Sequence, residues 1–304
     1  MHCSSTRGTV PGPPDYDSVV EESSHTLVGN GLWQSYFEPI TPFPFNASSC
    51  RSKPMFEFTP RQILPDLHLC SEFAVRGWVF NHVPPALRPN DRPMRDWLWD
   101  SRQRGSKIVA KHFRVKPWLQ ELIDKANPDP RHCLAVHIRL TDKGAGRDKK
   151  GLSRYRPYIE AYANATTEED GPIYIATDDA KVLPKIQSQW PAQIASRVIS
   201  MQDAVRSHRA WVPTFELLED DKHKANTDAL VEIYAMAKCR YFVHGFSGMS
   251  EAVVYINPAL HSRSANIDSP EPIPPHEFER IVRTMEVNHV KGGTTEKDVP
   301  PKVN

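Results

Sequence analysis

Basic and polar side chains follow an apolar run in the middle of the chain. The run Cys133 to Leu140 has the composition of a buried β-strand and contains His137 and Arg139. Side chains two residues apart on a strand point to the same face, so both can reach one ligand while Ile138 points into the core. The planar guanidinium of Arg139 suits a phosphate or a carboxylate of a ligand. The alternative is a structural ion pair of Arg139 with an acid such as Asp142.

The polar motif continues beyond this strand into a basic loop. Asp142 and Lys143 follow the strand, and the glycine-containing loop after them carries Arg147, Lys149 and Lys150. A local group of cations of this kind can neutralise a bound anion even when the whole chain is nearly neutral.

Two adjacent carboxylates, Asp178 and Asp179, follow a second apolar run, Pro172 to Thr177. At a strand end such a pair can bind a divalent metal, orient a substrate hydroxyl or cap the helix that follows. No third carboxylate or histidine lies within a few residues, so the local sequence favours capping over a dedicated metal site.

The run RYFVHGFSGMSEAVVYI predicts a strand, a tight turn and a helix, with Gly245, Ser247, Gly248 and Ser250 at the turn. Backbone N–H groups and hydroxyls at a helix N-terminus can seat part of a phosphate. The turn also resembles the G-x-S-x-G elbow of serine hydrolases, with Ser247 as nucleophile. Met249 stands where that elbow requires its second glycine.

The composition fits a folded chain of enzyme size and excludes several classes. The 304 residues suffice for two domains or one large one. Lys and Arg number 38 against 37 Asp and Glu, so the net charge of +1 gives no electrostatic case for nucleic-acid binding. The 28 prolines favour long irregular connections over a helical bundle. No apolar stretch is long enough to span a membrane.

The pattern along the chain predicts four segments. Residues 1–30 are polar and contain several prolines, which predicts a disordered lead-in. Residues 31–130 are rich in proline and tryptophan and form an N-terminal domain, and residues 291–304 form a tail. Residues 131–290 alternate apolar runs with helical segments, which predicts an α/β domain with a parallel sheet. Ligands of such sheets bind at the carboxyl ends of the strands.

Further elements follow from hydrophobic periodicity and capping residues. Besides the three runs above, a short strand is predicted at 197–199 and a β-rich run at 107–115. The predicted helices are 117–126, 156–163, 180–190, 228–239 with Asn226 or Thr227 as its cap, one starting near Met249, and 276–289.

The five cysteines show no metal-ligand spacing. Cys133 and Cys239 lie in apolar segments and are predicted to be buried thiols. Cys50 and Cys70 could form a disulfide in an oxidising compartment.

Four strings of the sequence occur together in one order, namely VHIRLTDK, IYIATDD, VEIYAMAKC and YFVHGFSGMSEA. In this order and spacing they resemble the α1,6-fucosyltransferases and their bacterial nodulation relatives, and more distantly the protein O-fucosyltransferases. The resemblance covers about residues 130–260. It implies two facing Rossmann-like domains of the GT-B type, of which the C-terminal one binds the donor GDP-fucose and the N-terminal one the acceptor. It also implies inverting transfer that requires no metal or other cofactor.

The same resemblance implies roles for individual residues. Arg139 matches the arginine that grips the β-phosphate, and His137 lies beside it on the donor. Asp142 and Lys143 match an essential pair, and Glu232 lies where the family has an aspartate that recognises guanine. The remaining donor-binding matches are Asp178, Asp179, Gly245, Ser247 and Gly248.

Two positions depart from the family pattern. Leu140 stands where the family has a second arginine, and the acid proposed as catalytic base falls near Arg147, so that Asp148 is the nearest substitute. These departures keep open a second hypothesis, a catalytically inactive relative that binds a nucleotide sugar or a glycan. A serine hydrolase using Ser247 is the third.

The resemblance also bears on partners and location. It implies a glycan or glycoprotein acceptor and a place in the Golgi or secretory lumen, although the family's membrane anchor is absent from this sequence.

Overall fold

The computed structural model describes residues 35–38, 94–128, 132–141, 151–167, 171–209, 212, 214, 222–245, 247–269 and 272–290. The lead-in, the tail and most of the proline-rich segment lie outside these residues, and so do Cys50 and Cys70. The division of the chain into domains, including two facing domains, therefore stays a prediction.

Five parallel strands form one sheet in the described part of the chain, which confirms the predicted α/β fold. Their order in the sheet is β3-β2-β1-β4-β5. The strands are β1 (Leu134–Ile138), β2 (Ile173–Thr177), β3 (Val198–Ile199), β4 (Tyr241–His244) and β5 (Ser264–Asn266). The first four lie within two residues of their predicted bounds, whereas β5 was not predicted because its three residues carry no apolar run.

Helices cover both faces of the sheet. They are α1 (Met94–His112), α2 (Pro117–Ala126), α3 (Arg156–Ala165), α4 (Val182–Gln189), α5 (Ala192–Ala195), α6 (Lys222–Ala237), α7 (Gly248–Ile256) and α8 (Pro275–Val290). None of these described helices is long and apolar enough to cross a lipid bilayer.

The alternation of side chains along β1 divides the core into two layers. Leu134, Val136 and Ile138 pack in one cluster with residues of α3 and α8. Ala135 points to the other face, where residues of α6 and α7 pack against the sheet. Both faces are buried, which is why the strands appear in the sequence as continuous apolar runs. His137 belongs to the α6 and α7 side by the same alternation.

Two predicted elements were wrong. The β-rich run at 107–115 belongs mostly to helix α1, which continues to His112; packing of this helix against α7 outweighs the β-propensity of its Val and Ile residues. Helix α6 begins at Lys222, so Asn226 and Thr227 are not its caps. The Thr227 hydroxyl instead donates a hydrogen bond to the carbonyl of His223 one turn earlier.

Cys133 and Cys239 are buried as predicted, but they are not thiols: they form a disulfide with each other. The bond joins the residue before β1 to the segment between α6 and β4. The two cysteines are 106 residues apart in sequence, and only the parallel pairing of β1 with β4 brings them together.

Candidate functional site

The carboxyl ends of β1 and β2 open onto a cavity of about 70 Å³. The two strands are adjacent in the sheet, with Ile138 opposite Thr177, so the residues after each strand meet at this edge. Helix α6 forms the opposite wall. Charged and polar side chains from all three elements line the cavity, including His137, Arg139, Asp178, Asp228 and Glu232.

His137 is fixed between the sheet and α7. Its side chain is buried, and its Nδ1 lies 2.8 Å from the Ser250 hydroxyl. This contact ties the end of β1 to the first turn of the helix that follows the glycine–serine turn. His137 and Arg139 both line the cavity, as their spacing on one strand face requires.

Arg139 lies at the mouth of the cavity, with its side chain 25% exposed. Its acidic neighbour is Asp178, whose Oδ2 is 3.9 Å from the arginine Nε. That separation is too long for a hydrogen bond between these two atoms. The backbone of Arg139 hydrogen-bonds the hydroxyl of Tyr155, a residue that the sequence did not single out.

The paired aspartates have separate tasks. Asp178 accepts hydrogen bonds from the backbone N–H of Leu140 at 2.8 Å and from the hydroxyl of Thr141 at 2.6 Å, and thereby holds the chain leaving β1. Asp179 accepts a hydrogen bond from the N–H of Lys181 at 2.8 Å, just before α4 begins. Asp178 therefore shapes the cavity by holding the backbone, whereas Asp179 stabilises a helix start.

Glu232 projects from α6 and is 7% exposed. Its Oε1 has no hydrogen-bond partner among the described residues. Burial raises the pKa of Glu232 to about 8; Arg206 opposes this rise, and the charges of Asp228 and Asp178 add to it. A desolvated carboxyl group with an unused oxygen is costly in a folded protein unless a ligand supplies the missing donors.

Arg206 was missed by sequence reasoning although it lies on the loop after β3, where strand-end residues of such sheets are expected. Its NH2 group is 3.8 Å from Glu232 Oε1. The same group donates a hydrogen bond to the carbonyl of Met201 at 2.7 Å, and NH1 donates to the carbonyl of Ala204 at 3.3 Å. Arg206 is thus anchored to its own loop and faces Glu232 without hydrogen-bonding it.

The glycine–serine turn connects β4 to α7. Ser247 is the residue before the helix, and its buried Oγ has no hydrogen-bond partner among the described residues. Gly248 is the first helical residue. A Cβ on Gly245 would lie 2.5 Å from a carboxylate oxygen of Asp268, so only glycine fits there without a shift of that side chain.

A serine hydrolase is disfavoured by the surroundings of Ser247. A nucleophilic serine needs a base within hydrogen-bond reach. The Ser247 hydroxyl has no such partner among the described residues: His137 has its Nδ1 on Ser250, and His244 has its Nδ1 on the carbonyl of Gly245.

Three predicted catalytic residues, Asp142, Lys143 and Asp148, lie outside the described residues. Their roles stay predictions. Among the residues that the structure describes, no group of three or more His, Cys, Asp or Glu side chains could hold a metal ion.

No family model and no curated protein matches the sequence. Among solved structures, the chain is similar to the α-1,6-fucosyltransferase NodZ soaked with GDP-fucose, with 15% identity and a TM-score of 0.36 over 55% of this chain and 50% of that one. A NodZ structure co-crystallised with GDP has the same identity and TM-score, over 62% and 65% of the two chains. Fucosyltransferase NodZ from Bradyrhizobium has a TM-score of 0.34 at 15% identity, over 62% and 66%. The matches thus span half to two thirds of NodZ, and at these TM-scores they support no conclusion about function.

Proposed function

We propose that the chain is a glycosyltransferase that uses GDP-fucose as donor and transfers fucose, with inversion, to a glycan or glycoprotein acceptor. The observation that supports it most is the unpartnered, buried carboxylate oxygen of Glu232, in one cavity with His137 and Arg139. In this cavity Glu232 offers a hydrogen-bond acceptor to a nucleobase, and Arg139 offers a positive charge to a phosphate.

The chemistry of guanine fits Glu232. Guanine presents a ring N–H and an exocyclic amino group side by side, and one carboxylate can accept hydrogen bonds from both. Adenine has an acceptor nitrogen in the corresponding ring position, and uracil flanks its N–H with two carbonyl oxygens. An ionised Glu232 is therefore selective for guanine among these bases, because a mismatched base leaves buried polar groups unpaired.

The diphosphate would bind at the carboxyl end of β1 and at the N-terminus of α7. Arg139 supplies a guanidinium at the edge of the cavity, and the turn at Ser247 and Gly248 supplies backbone N–H groups and the Ser247 hydroxyl, which has no partner among the described residues. In the reaction, the bond between the fucose anomeric carbon and the β-phosphate oxygen breaks, and its electron pair leaves with GDP. Positive charge at this place stabilises the leaving group.

The acceptor hydroxyl attacks the opposite face of the sugar and loses its proton to a general base. Asp148, or Asp142, is the proposed base, with Lys143 beside it and the basic loop adding charge. No metal is required in this scheme, because protein cations neutralise the diphosphate. Retention of transfer activity after EDTA treatment would support this point, whereas loss restored by Mn²⁺ would contradict it.

The guanine assignment is tested by thermal unfolding with added nucleotides. GDP at one hundred times its Kd should stabilise the fold by about 2.7 kcal/mol, and ADP and UDP should do much less. IDP, which lacks the amino group, should fall between them because it offers Glu232 one donor instead of two. Equal shifts for all four nucleotides would contradict the proposal.

A nucleotide-sugar-binding protein without transferase activity is the second candidate. Leu140 favours it, because the chain has one arginine at this place where the fucosyltransferases have two. The distinction requires turnover: release of fucose from GDP-fucose, with water or a glycan as acceptor, supports the transferase. Tight GDP binding with no fucose release supports the binding protein.

A further inference from the structure

Arg206 lies 3.8 Å from Glu232, the carboxylate to which we assign guanine recognition. We propose that Arg206 is a positioning residue for guanine recognition: its charge favours the ionised form of Glu232, and it leaves Oε1 open to a donor group of guanine. The inference rests on the proposed function, since it concerns the same nucleotide. It adds a residue that the sequence motifs do not single out.

Arg206 interacts with Glu232 through its charge and not through a hydrogen bond. The arginine NH2 is 3.8 Å from Glu232 Oε1, which is too far for a hydrogen bond but close enough for a strong electrostatic effect between two groups that are each 10% exposed. The guanidinium donates hydrogen bonds to the carbonyls of Met201 and Ala204. Arg206 therefore compensates the charge of Glu232 without occupying the oxygen that a ligand needs.

The other charged groups around Glu232 oppose its ionisation or are already matched. Asp228, one turn earlier on α6, accepts hydrogen bonds from Lys224 and from the N–H of Val205. Asp178 lies at the end of β2, and both aspartates raise the pKa of Glu232, whereas Arg206 lowers it.

Three further groups complete the surroundings of the carboxylate. His137 and Arg139 at the end of β1 line the same cavity. Tyr174 of β2 interacts electrostatically with both Glu232 and Arg206, and its buried hydroxyl has no hydrogen-bond partner among the described residues. Arg206 is the cation that forms an ion pair with Glu232, at 3.8 Å, and its charge lowers the pKa of that group.

The protonation state of Glu232 decides what it can recognise. A carboxylate accepts from both the ring N–H and the amino group of guanine. A protonated carboxyl group accepts at one oxygen and presents its own O–H to the second donor, so two donors face each other. Replacing Arg206 by a neutral side chain removes the opposing charge and leaves burial and the two aspartates to favour the protonated form.

The test measures GDP affinity by calorimetry between about pH 6 and about pH 9 for wild type, Arg206→Gln, Arg206→Lys and Arg209→Gln. Wild-type affinity should rise with pH, by up to about tenfold per unit, and level off above the pKa of Glu232, about 8. In Arg206→Gln this rise should move toward higher pH by about one unit or more, which lowers affinity about tenfold at neutral pH. Arg206→Lys should move it less.

Arg209 is the matched control, because it is an exposed arginine three residues along the same loop. Arg209→Gln should reproduce the wild-type profile. The titration of the diphosphate itself affects every variant equally and cancels in the ratio of wild-type to variant affinity.

The outcomes separate this inference from the proposed function. Absence of GDP binding by the wild-type protein at every pH overturns both. Binding by the wild type, with a uniform loss in Arg206→Gln and no displacement of its pH profile, makes Arg206 a scaffold residue and overturns the inference alone. If Arg206→Gln does not fold, Arg206→Met, a neutral side chain of similar length, takes its place: its pH profile should be displaced in the same direction, and an undisplaced profile would overturn the inference.

Discussion

Two buried arginine–glutamate pairs of this protein differ in how completely their hydrogen bonds are made. Arg102 of α1 binds both oxygens of Glu251 of α7, with NH2 at 2.5 Å and Nε at 3.2 Å. Its NH1 lies 2.8 Å from His261 Nδ1. Arg206 and Glu232, by contrast, are 3.8 Å apart, and Glu232 Oε1 has no partner among the described residues.

The difference distinguishes a pair whose hydrogen bonds are complete within the fold from a pair that we propose to serve a ligand. The first pair joins two helices that pack together, and its charges are matched within the protein. The second pair faces a cavity and contains a carboxylate that is buried before its hydrogen bonds are made. A site of this kind costs stability in the free protein, and ligand binding recovers the cost.

The largest effect is expected on the first pair. Arg102→Met should lower the free energy of unfolding by about 3–5 kcal/mol, because it leaves the buried charge of Glu251 uncompensated. Lys107→Met, at an exposed position of the same helix, is the control and should change stability by less than about 0.5 kcal/mol. Urea unfolding measures both. Equal, small effects would show that the first pair is no more structural than a surface contact.

The Arg206–Glu232 pair should make the free energy of unfolding depend on pH. The pKa of Glu232 is about 8 in the folded protein against 4.5 for an exposed glutamate, so the folded state binds the extra proton between these values. Its contribution to stability should therefore fall as pH rises through this range, by at most about 1.4 kcal/mol per pH unit, and stay constant above pH 8.

Glu232→Gln should remove that slope and unfold at a higher temperature than wild type near pH 8, while losing GDP binding. Parallel stability curves of the two proteins would contradict the burial of an ionisable group at this place.

Variants of Arg139 test a cation that is partly exposed at the cavity. Arg139→Lys keeps the charge but loses the planar fork, and should weaken GDP binding nearly as much as Arg139→Ala, by about 1.5–3 kcal/mol. Melting temperature should change less than GDP affinity, because the side chain lines the cavity and is 25% exposed. Normal GDP affinity together with a collapsed melting temperature would make Arg139 a partner of the scaffold.

The parallel sheet could be predicted from sequence because its strands are buried on both faces. β1 and β2 therefore appear as unbroken apolar runs, and their carboxyl ends place His137, Arg139 and Asp178 together without further information. The sequence could not predict that residues 107–112 are helical. Their local preferences allow a helix or a strand, and packing against α7 favours the helix.

The site was harder to predict wherever a contact depends on distant segments. Arg206 follows β3 and Glu232 lies on α6, and no local pattern in the sequence indicates that the two side chains meet. The role of Asp178 was ambiguous for the same reason, because its partners, Leu140 and Thr141, lie in the segment that follows the neighbouring strand β1. Cys133 and Cys239 each lie in an apolar segment, which indicates burial but not pairing.

The Cys133–Cys239 disulfide makes a covalent macrocycle of the segment between its two cysteines, 106 positions apart. His137, Asp178, Arg206 and Glu232 all belong to the macrocycle, whereas the glycine–serine turn follows just outside it. A single cut of the chain anywhere between the cysteines would leave both fragments on one molecule until the bond is reduced. Closing a loop of about 100 residues also restricts the unfolded chain, by about 4.7 kcal/mol in the chain-entropy model. During synthesis the macrocycle can close only after residue 239 has left the ribosome, so the bond forms after His137, Asp178, Arg206 and Glu232 have all been synthesised.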